Sequence, residues 1–325
     1  PVPLPAVFGF GSQWQNAGTV KGHTYEGTLE ARVIDREDFG WSLSLVADRS
    51  RNKIVEYDRP CHFNASGLGY LCAGEVLGGL YGQKFLTRHS ELPAIHAGSH
   101  DAFQVNDDGL LVPVGVGNSW RDGVAKNLWG TTVVIDGVSY AWGMPIKVTN
   151  PDGTPAIVRI GDSNPDLRWG FSNNFRWRNF TLSVLVDGQI GGDVYNATKQ
   201  RMYQYRRHAD ADQVGKPEER KKPDVYYSAG NGLYNGNVEV SWFVEDASYT
   251  KLREVALRYR LRGSRLGPLT SFGLDQMSIA LIGRNLYTWT DYSGYDPEIG
   301  SAIERIDNFN YPKYRTLTAS IELEF

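Results

Sequence analysis

Long hydrophobic runs are missing from this sequence. No stretch approaches the roughly 18 apolar residues that a membrane-spanning helix requires, and the mean hydropathy is -0.39. Any membrane crossing would therefore be made of strands, whose alternating pattern escapes hydropathy averaging. A basic surplus is missing too. The 34 Lys and Arg stand against 37 Asp and Glu, a formal charge of -3, which leaves nothing to neutralise phosphates and argues against a nucleic-acid partner. Cysteine is scarce: there are two, Cys61 and Cys72, in a Gly-rich, strand-poor stretch. Their spacing fits no zinc pattern. A disulfide between them would close a short loop and place it in an oxidising compartment, with two unpaired buried thiols as the alternative.

Catalytic signatures are equally sparse. There is no GxSxG elbow, no GxxxxGK[ST] loop and no GxGxxG after a strand. His96 and His100 are four apart, but Gly98 lies between them and no acidic general base is near, so they are expected to be loop histidines and not a metal pair. Carboxylate pairs such as Asp296 with Glu298 and Glu245 with Asp246 cannot be placed across a glycosidic bond from sequence. The expectation is a protein without catalytic residues, metal or cofactor. The sequons at Asn64, Asn179 and Asn196 are treated as accidental. The opening residues PVPLPAVFGFGSQ hold no basic n-region and no apolar h-region. A signal peptide was either removed, or the chain begins partway through a longer protein.

What the chain has in quantity is aromatic side chains, 12% with 18 Tyr and 9 Trp, and 36 Gly. That supply suits many strands with interfacial girdles, and lectin-like secreted β proteins share it. In Tyr314 to Phe325, Leu317, Ala319, Ile321, Leu323 and Phe325 alternate with Thr316, Thr318, Ser320, Glu322 and Glu324. A period of two with one apolar and one polar face is a strand, as in a barrel with lipid on one side and a wet lumen on the other. Similar alternation predicts strands over 23–35, 41–48, 167–178, 180–187, 253–262 and 276–288, with Leu185 interrupting the polar face of one and Arg253 set on the apolar face of another. Arg258, Arg260 and Arg262 share one face, which a dry core could not accept and a water-filled lumen could. The short connections (35–40, 178–179, 263–275) and the long ones (50–166, 190–248, 289–312) fall on opposite ends of an up-and-down arrangement. A secreted or surface β-sandwich that binds glycans, the alternative reading, has no reason to sort its loops in this way.

The segments GDSNPDLRWGFSNNFRWRNFTLSVLVDGQIGGDVYNATKQRMY at 161–203, FVEDASYTKLREVALRYRL at 243–261, IALIGRNLYTWTDYSGYDPEIG at 279–300 and NYPKYRTLTASIELEF at 310–325 resemble the C-terminal part of SusC/RagA-type TonB-dependent outer-membrane transporters. The resemblance implies an all-β fold, a transmembrane antiparallel β-barrel. This chain would supply the C-terminal part, some seven or eight strands, of a roughly 22-stranded barrel; nothing in the chain resembles the plug domain. The long loops at about 50–166, 190–248 and 289–312 would then be extracellular. The function implied is TonB-dependent import of oligosaccharide or peptide in the bacterial outer membrane, under a SusD-like surface lipoprotein, with the missing plug and barrel portion contacting the TonB complex. Gly294, Tyr295, Asp296, Pro297 and Glu298 of GYDPEIG would hold loop geometry, and Phe325 resembles the terminal aromatic of such barrels. Trp120, Trp129 and Trp142 could contact cargo or the lid, or could pack the loop's own core. Asn150, Asp152 and Gly153 remain of a loop that is often acidic in the family, but too few carboxylates are left for a calcium site.

Overall fold

The computed structural model describes every residue except 1, 4, 14, 15, 229, 231, 235, 237 and 302. Seven long strands form one antiparallel sheet: β1 Gly18–Asp35, β2 Phe39–Tyr57, β3 Leu167–Trp177, β4 Phe180–Ile190, β5 Tyr249–Arg262, β6 Gln276–Trp289 and β7 Thr316–Glu324. Each pairs with its sequence neighbours, so the order is a plain meander from β1 to β7. Among the described residues, β1 pairs within the sheet only with β2, and β7 only with β6. The sheet is thus an arc of barrel wall with two outer edges, and the three short turns lie at one end, opposite the three long connections.

The register keeps the two faces distinct across the whole sheet, because directly opposed residues share a face. One row reads Trp41, Phe175, Leu182, Leu257, Leu281 and Ala319; the adjacent row on the other face reads Ser42, Asn174, Ser183, Ala256, Ile282 and Thr318. Leu257, Leu281, Leu317 and Ile321 are open to the surroundings. A β-sandwich would bury this face under a second sheet, so the sandwich reading is excluded, and lipid is the solvent that suits it. Aromatic residues stand at both margins of the apolar band. Trp41 stacks on Phe175 at 5.7 Å, Trp177 on Phe180 at 6.1 Å, and Phe180 lies 4.5 Å from Tyr259. Trp169, Tyr287 and Trp289 mark the other margin. The eight steps from Trp169 to Trp177 span about 27 Å of strand, or roughly 20 Å along the membrane normal at barrel tilt.

Two departures from simple alternation have a local cause. Between Leu185/Val186 and Leu252/Glu254 the β4–β5 ladder shifts by one residue, and β6 carries a matching irregularity at Asn285, whose φ is 51°. The bulge turns Arg253 to the polar side beside Glu254, which corrects its expected place among the apolar residues. Leu185 sits at the same irregularity, opposite Glu254. β2 also runs on to Tyr57, past the expected end near 48, because β1 supplies backbone partners to residues with no alternation of their own.

Val255 lies midway between the aromatic margins on the lipid side and Ala256 on the polar side. Val255→Arg is expected to cost about 2–4 kcal/mol of barrel stability and Ala256→Arg much less. The yield of heat-modifiable folded protein in membranes, measured for both variants, checks this; equal losses would contradict the assignment of faces.

Candidate functional site

The long connections form a folded head at one end of the sheet. Leu68, Leu80, Phe85 and Leu110 from the first connection pack with Tyr195, Tyr203, Tyr226, Tyr227, Leu233, Tyr234, Val240 and Phe243 from the second, and Ile306 from the third leans on the same core. Short ladders join them. Gly79–Gln83 pairs with Ile157–Asp162, and Asp193–Asn196 pairs antiparallel with Val244–Asp246 and parallel with Ile306–Asp307. Asn196 is buried as the N-cap of the helix Ala197–Gln204, accepting from the Lys199 amide at 2.8 Å. Cys61 and Cys72 are joined in a disulfide around the hairpin of His62–Phe63 and Tyr70–Leu71.

The tryptophans of the first connection are packed inward. Trp120 and Trp142 are 5% and 3% exposed and share a core with Val112 and Val114, with Trp129 half-buried against them. The Trp142 indole donates to the Val114 carbonyl at 2.7 Å. A Cβ on Gly123 would lie 2.3 Å from Trp142, and one on Gly143 2.5 Å from Trp129, so both glycines make room for these rings. Trp120 and Trp142 therefore present no open face for stacking on a ligand. His96 is fully buried, its Nδ1 2.8 Å from Asp136 and its Nε2 2.8 Å from the Tyr140 hydroxyl, while His100 lies against His89. The two histidines do not converge.

In a cleft of about 330 Å³ in the head, aromatic and charged groups meet; Tyr203, Tyr227, Trp242, Asp108, Asp210 and Lys222 line it. Lys222 is buried, donates to Asp107 and to Asp108 (2.8 Å), and lies 5.4 Å and 5.1 Å over the rings of Trp120 and Tyr226. Tyr226 donates to the same Asp108 at 2.7 Å, and burial pushes its hydroxyl pKa far up, so it stays a donor. Lys222 was not among the expected site residues. It lies in the charged run 206–224, which reads as a solvated loop until the fold sets the aromatic floor beneath it.

The GYDPEIG motif is bolted to the sheet. Asp296 is 7% exposed and accepts from Lys251 Nζ at 2.7 Å and from the Lys313 amide at 3.2 Å, and also from the Glu298 amide at 2.9 Å. Glu298 accepts from Lys251 (2.9 Å), Arg253 (2.9 Å) and Lys313 (2.5 Å). Arg253 in turn grips Asp187 of β4 through Nε and Nη2, the latter at 2.7 Å. The third connection is thereby tied to β4 and β5 through the bulge that turned Arg253 inward. Gly294 and Tyr295 form the outer bend, Tyr295 being exposed, while Pro297 and Ile299 are buried beneath it. Phe325 is exposed just beyond β7. Burial raises the Glu298 carboxyl, but hydrogen bonds from Lys313, Lys251 and Arg253 outweigh it and bring the pKa down to about 2. Burial likewise raises the Asp296 carboxyl, but the hydrogen bonds from Lys251 and from the Glu298 and Lys313 amides outweigh it and leave the pKa lowered. Lys251, Arg253, Lys313 and Asp187 have no sequence signal as a group; they lie up to 126 residues apart (313 minus 187).

No family model matches the chain. It is similar over its whole length to three curated proteins of Formosa agariphila (strain DSM 15362 / KCTC 12365 / LMG 23005 / KMM 3901 / M-2Alg 35-1): TonB-dependent receptor P3 (26% identity, 31% of that protein), P26 (25%, 31%) and P39 (24%, 32%). The chain thus spans about a third of the relatives it matches. Its fold is similar to that of the RagAB peptide transporter, with a TM-score of 0.62 at 19% identity over all of this chain and 31% of that one. The "closed-closed" state of the RagAB peptide importer gives a TM-score of 0.61 at 19% identity, over all of this chain and 32% of that one.

Two outcomes are expected of the clamp. Lys251→Met leaves the buried Asp296 carboxylate without its cation and should weaken the loop's attachment by up to about 3–5 kcal/mol, read as faster limited proteolysis within 290–315. Because the folded pKa of Glu298 lies below its ordinary 4.5, its stabilisation is complete above that value and drains away as pH falls toward about 2. Protection of the same loop at pH 6 and 5, with loss between 4.5 and 2, checks this; a loss already between pH 7 and 6 would contradict it.

Proposed function

From the premise that this chain is homologous along its whole length to TonB-dependent receptors, we propose that it is the C-terminal barrel portion of a SusC/RagA-type transporter that imports oligosaccharide or peptide across the bacterial outer membrane. The observation that carries the reading is the single sheet with an open apolar face, a charged polar face and a folded head at one end only. Placed in a bilayer, the short turns face the periplasm and the head of long connections faces outward, where cargo arrives. β1 and β7 then pair with strands outside this chain, and the polar faces of all strands enclose a wet lumen.

In this reading the chain makes and breaks no bond in the cargo. Its charged wall keeps water and polar cargo in contact with side chains that lipid could not accept, while backbone groups are satisfied by neighbouring strands. The head offers a surface to a SusD-like lipoprotein, and energy enters from the TonB complex through the portion outside this chain. The third connection, held by Lys251 and Arg253, supplies a fixed rim and not a moving lid. Uptake of the cargo by cells carrying the full-length protein is expected to stop when TonB is deleted or the proton gradient is collapsed. Uptake that persists under both conditions would sink the proposal.

A further inference from the structure

The lipid-side face of β1 and β2 changes character beyond the aromatic margin at the head end. Within the apolar band its rungs are Ala31–Leu43, Leu29–Leu45 and Gly27–Ala47. Trp169 stands directly opposite Ala47 on β3 and marks the margin. The next three rungs of the same face are Tyr25–Arg49, His23–Arg51 and Lys21–Lys53. No register shift falls between Ala31 and Lys21 or between Leu43 and Lys53, so these side chains point the same way as Leu29 and Leu45. All of them except Arg51 are open to the surroundings.

Acids do not answer these cations. Arg51 is held by Asp166 and the Pro165 carbonyl, but Lys21, Arg49 and Lys53 meet no carboxylate among the described residues. Glu56, on the following rung, accepts from the Thr19 hydroxyl at 3.0 Å. Glu26 and Asp48 oppose each other on the polar face, where Asp48 takes Arg168 at 2.7 Å. Like charges directly opposite, as at Lys21–Lys53, stand about 5 Å apart at Cβ and destabilise the pair. An anion between them reverses the sign of that interaction.

Counted from Ala47, the three rungs lie about 7, 13 and 20 Å further along the strands, or roughly 5, 9 and 14 Å along the membrane normal at a tilt of about 45°. Hydrocarbon ends near the aromatic margin, and the headgroup layer lies beyond it. Tyr25 and Arg49 stand at the floor of that layer, and the long stems of Lys21 and Lys53 bring their amines to its outer side. At the short-turn margin the same face carries Phe39, Trp177, Phe180, Tyr259 and Leu261. We propose that the Lys21, Arg49 and Lys53 ladder is a docking surface for the phosphate groups of a lipid headgroup in the outer leaflet. The inference rests on the barrel reading above, which turns this face to lipid and the head outward. Its continuity with the apolar band selects a membrane lipid, whose acyl chains lie against Leu29 and Leu45 while its phosphates meet the cations.

The test uses the full-length protein purified in detergent. The probe is lipid A, an acylated glucosamine disaccharide bearing phosphates, and native mass spectrometry reads its binding. The triple variant Lys21→Gln, Arg49→Gln, Lys53→Gln is expected to bind about 100-fold more weakly than the unaltered protein, and each single variant about 5-fold more weakly. Lys126→Gln, at an exposed head lysine paired with Asp122, should bind as the unaltered protein does. Removing the phosphates from the probe should erase these differences. Unchanged affinity in heat-modifiable variants, or equal binding of the dephosphorylated probe, would overturn the docking surface and leave the transport reading standing. Displacement of the lipid by an equal concentration of inorganic phosphate marks a free-anion site and overturns it too. Should the triple variant not fold, the single variants decide, with Lys21→Arg, Lys53→Arg expected to keep both charge and binding. Protein that is neither membrane-embedded nor heat-modifiable would overturn both readings.

Discussion

A peptide group in hydrocarbon finds no water to bond, and the seven-stranded wall of this chain follows from satisfying its backbone by lateral pairing alone. Each of the seven strands gives its amides and carbonyls to sequence neighbours, and the register that results puts directly opposed residues on one face. Once that ladder is set, side chains sort by solvent. Leu, Val and aromatic residues meet lipid, and Ser, Thr, Arg and Glu meet the lumen. The aromatic margins at Trp177, Phe180 and Tyr259 and at Trp169 and Trp289 follow from the same sorting, since amphipathic rings settle where hydrocarbon gives way to headgroups.

The one deliberate break in the ladder couples the wall to the head. At the bulge the extra residue on β5 is Arg253, which turns to the polar side and holds Asp187 with one edge of its guanidinium and Glu298 with another nitrogen. Lys251, two residues earlier, completes the grip on Asp296 and Glu298. A regular strand would have pointed Arg253 at lipid, where its charge would be costly. The bulge therefore avoids a misplaced charge and creates an anchor for the third connection.

The head and the short-turn end contrast in how charge is balanced. Near the head, Lys222, Lys251 and Arg253 each lie against two carboxylates. At the short turns, Arg258, Arg260, Arg262 and Arg265 have none among the described residues. Balanced networks fix loops in place, and the unbalanced one at the short turns ties down none.

Alternation made the strands around Leu281, Leu257 and Ile321 legible, because a half-wet strand writes its two solvents into every second residue. Resemblance in four blocks added the barrel and the transporter class. Neither could show that β2 continues to Tyr57, since its last turns of ladder depend on β1 for partners and not on their own pattern. Nor could they show that Trp120 and Trp142 are core, that Lys222 has an aromatic floor, or that Arg253 changes sides at a one-residue shift. The sequence by itself determined which faces of the strands meet lipid and which meet water, because that choice is local and repeats with period two. Only the tertiary structure decided how the loops share one core and which charges are paired, because those contacts join residues tens to more than a hundred positions apart, and periodicity carries no information over that distance.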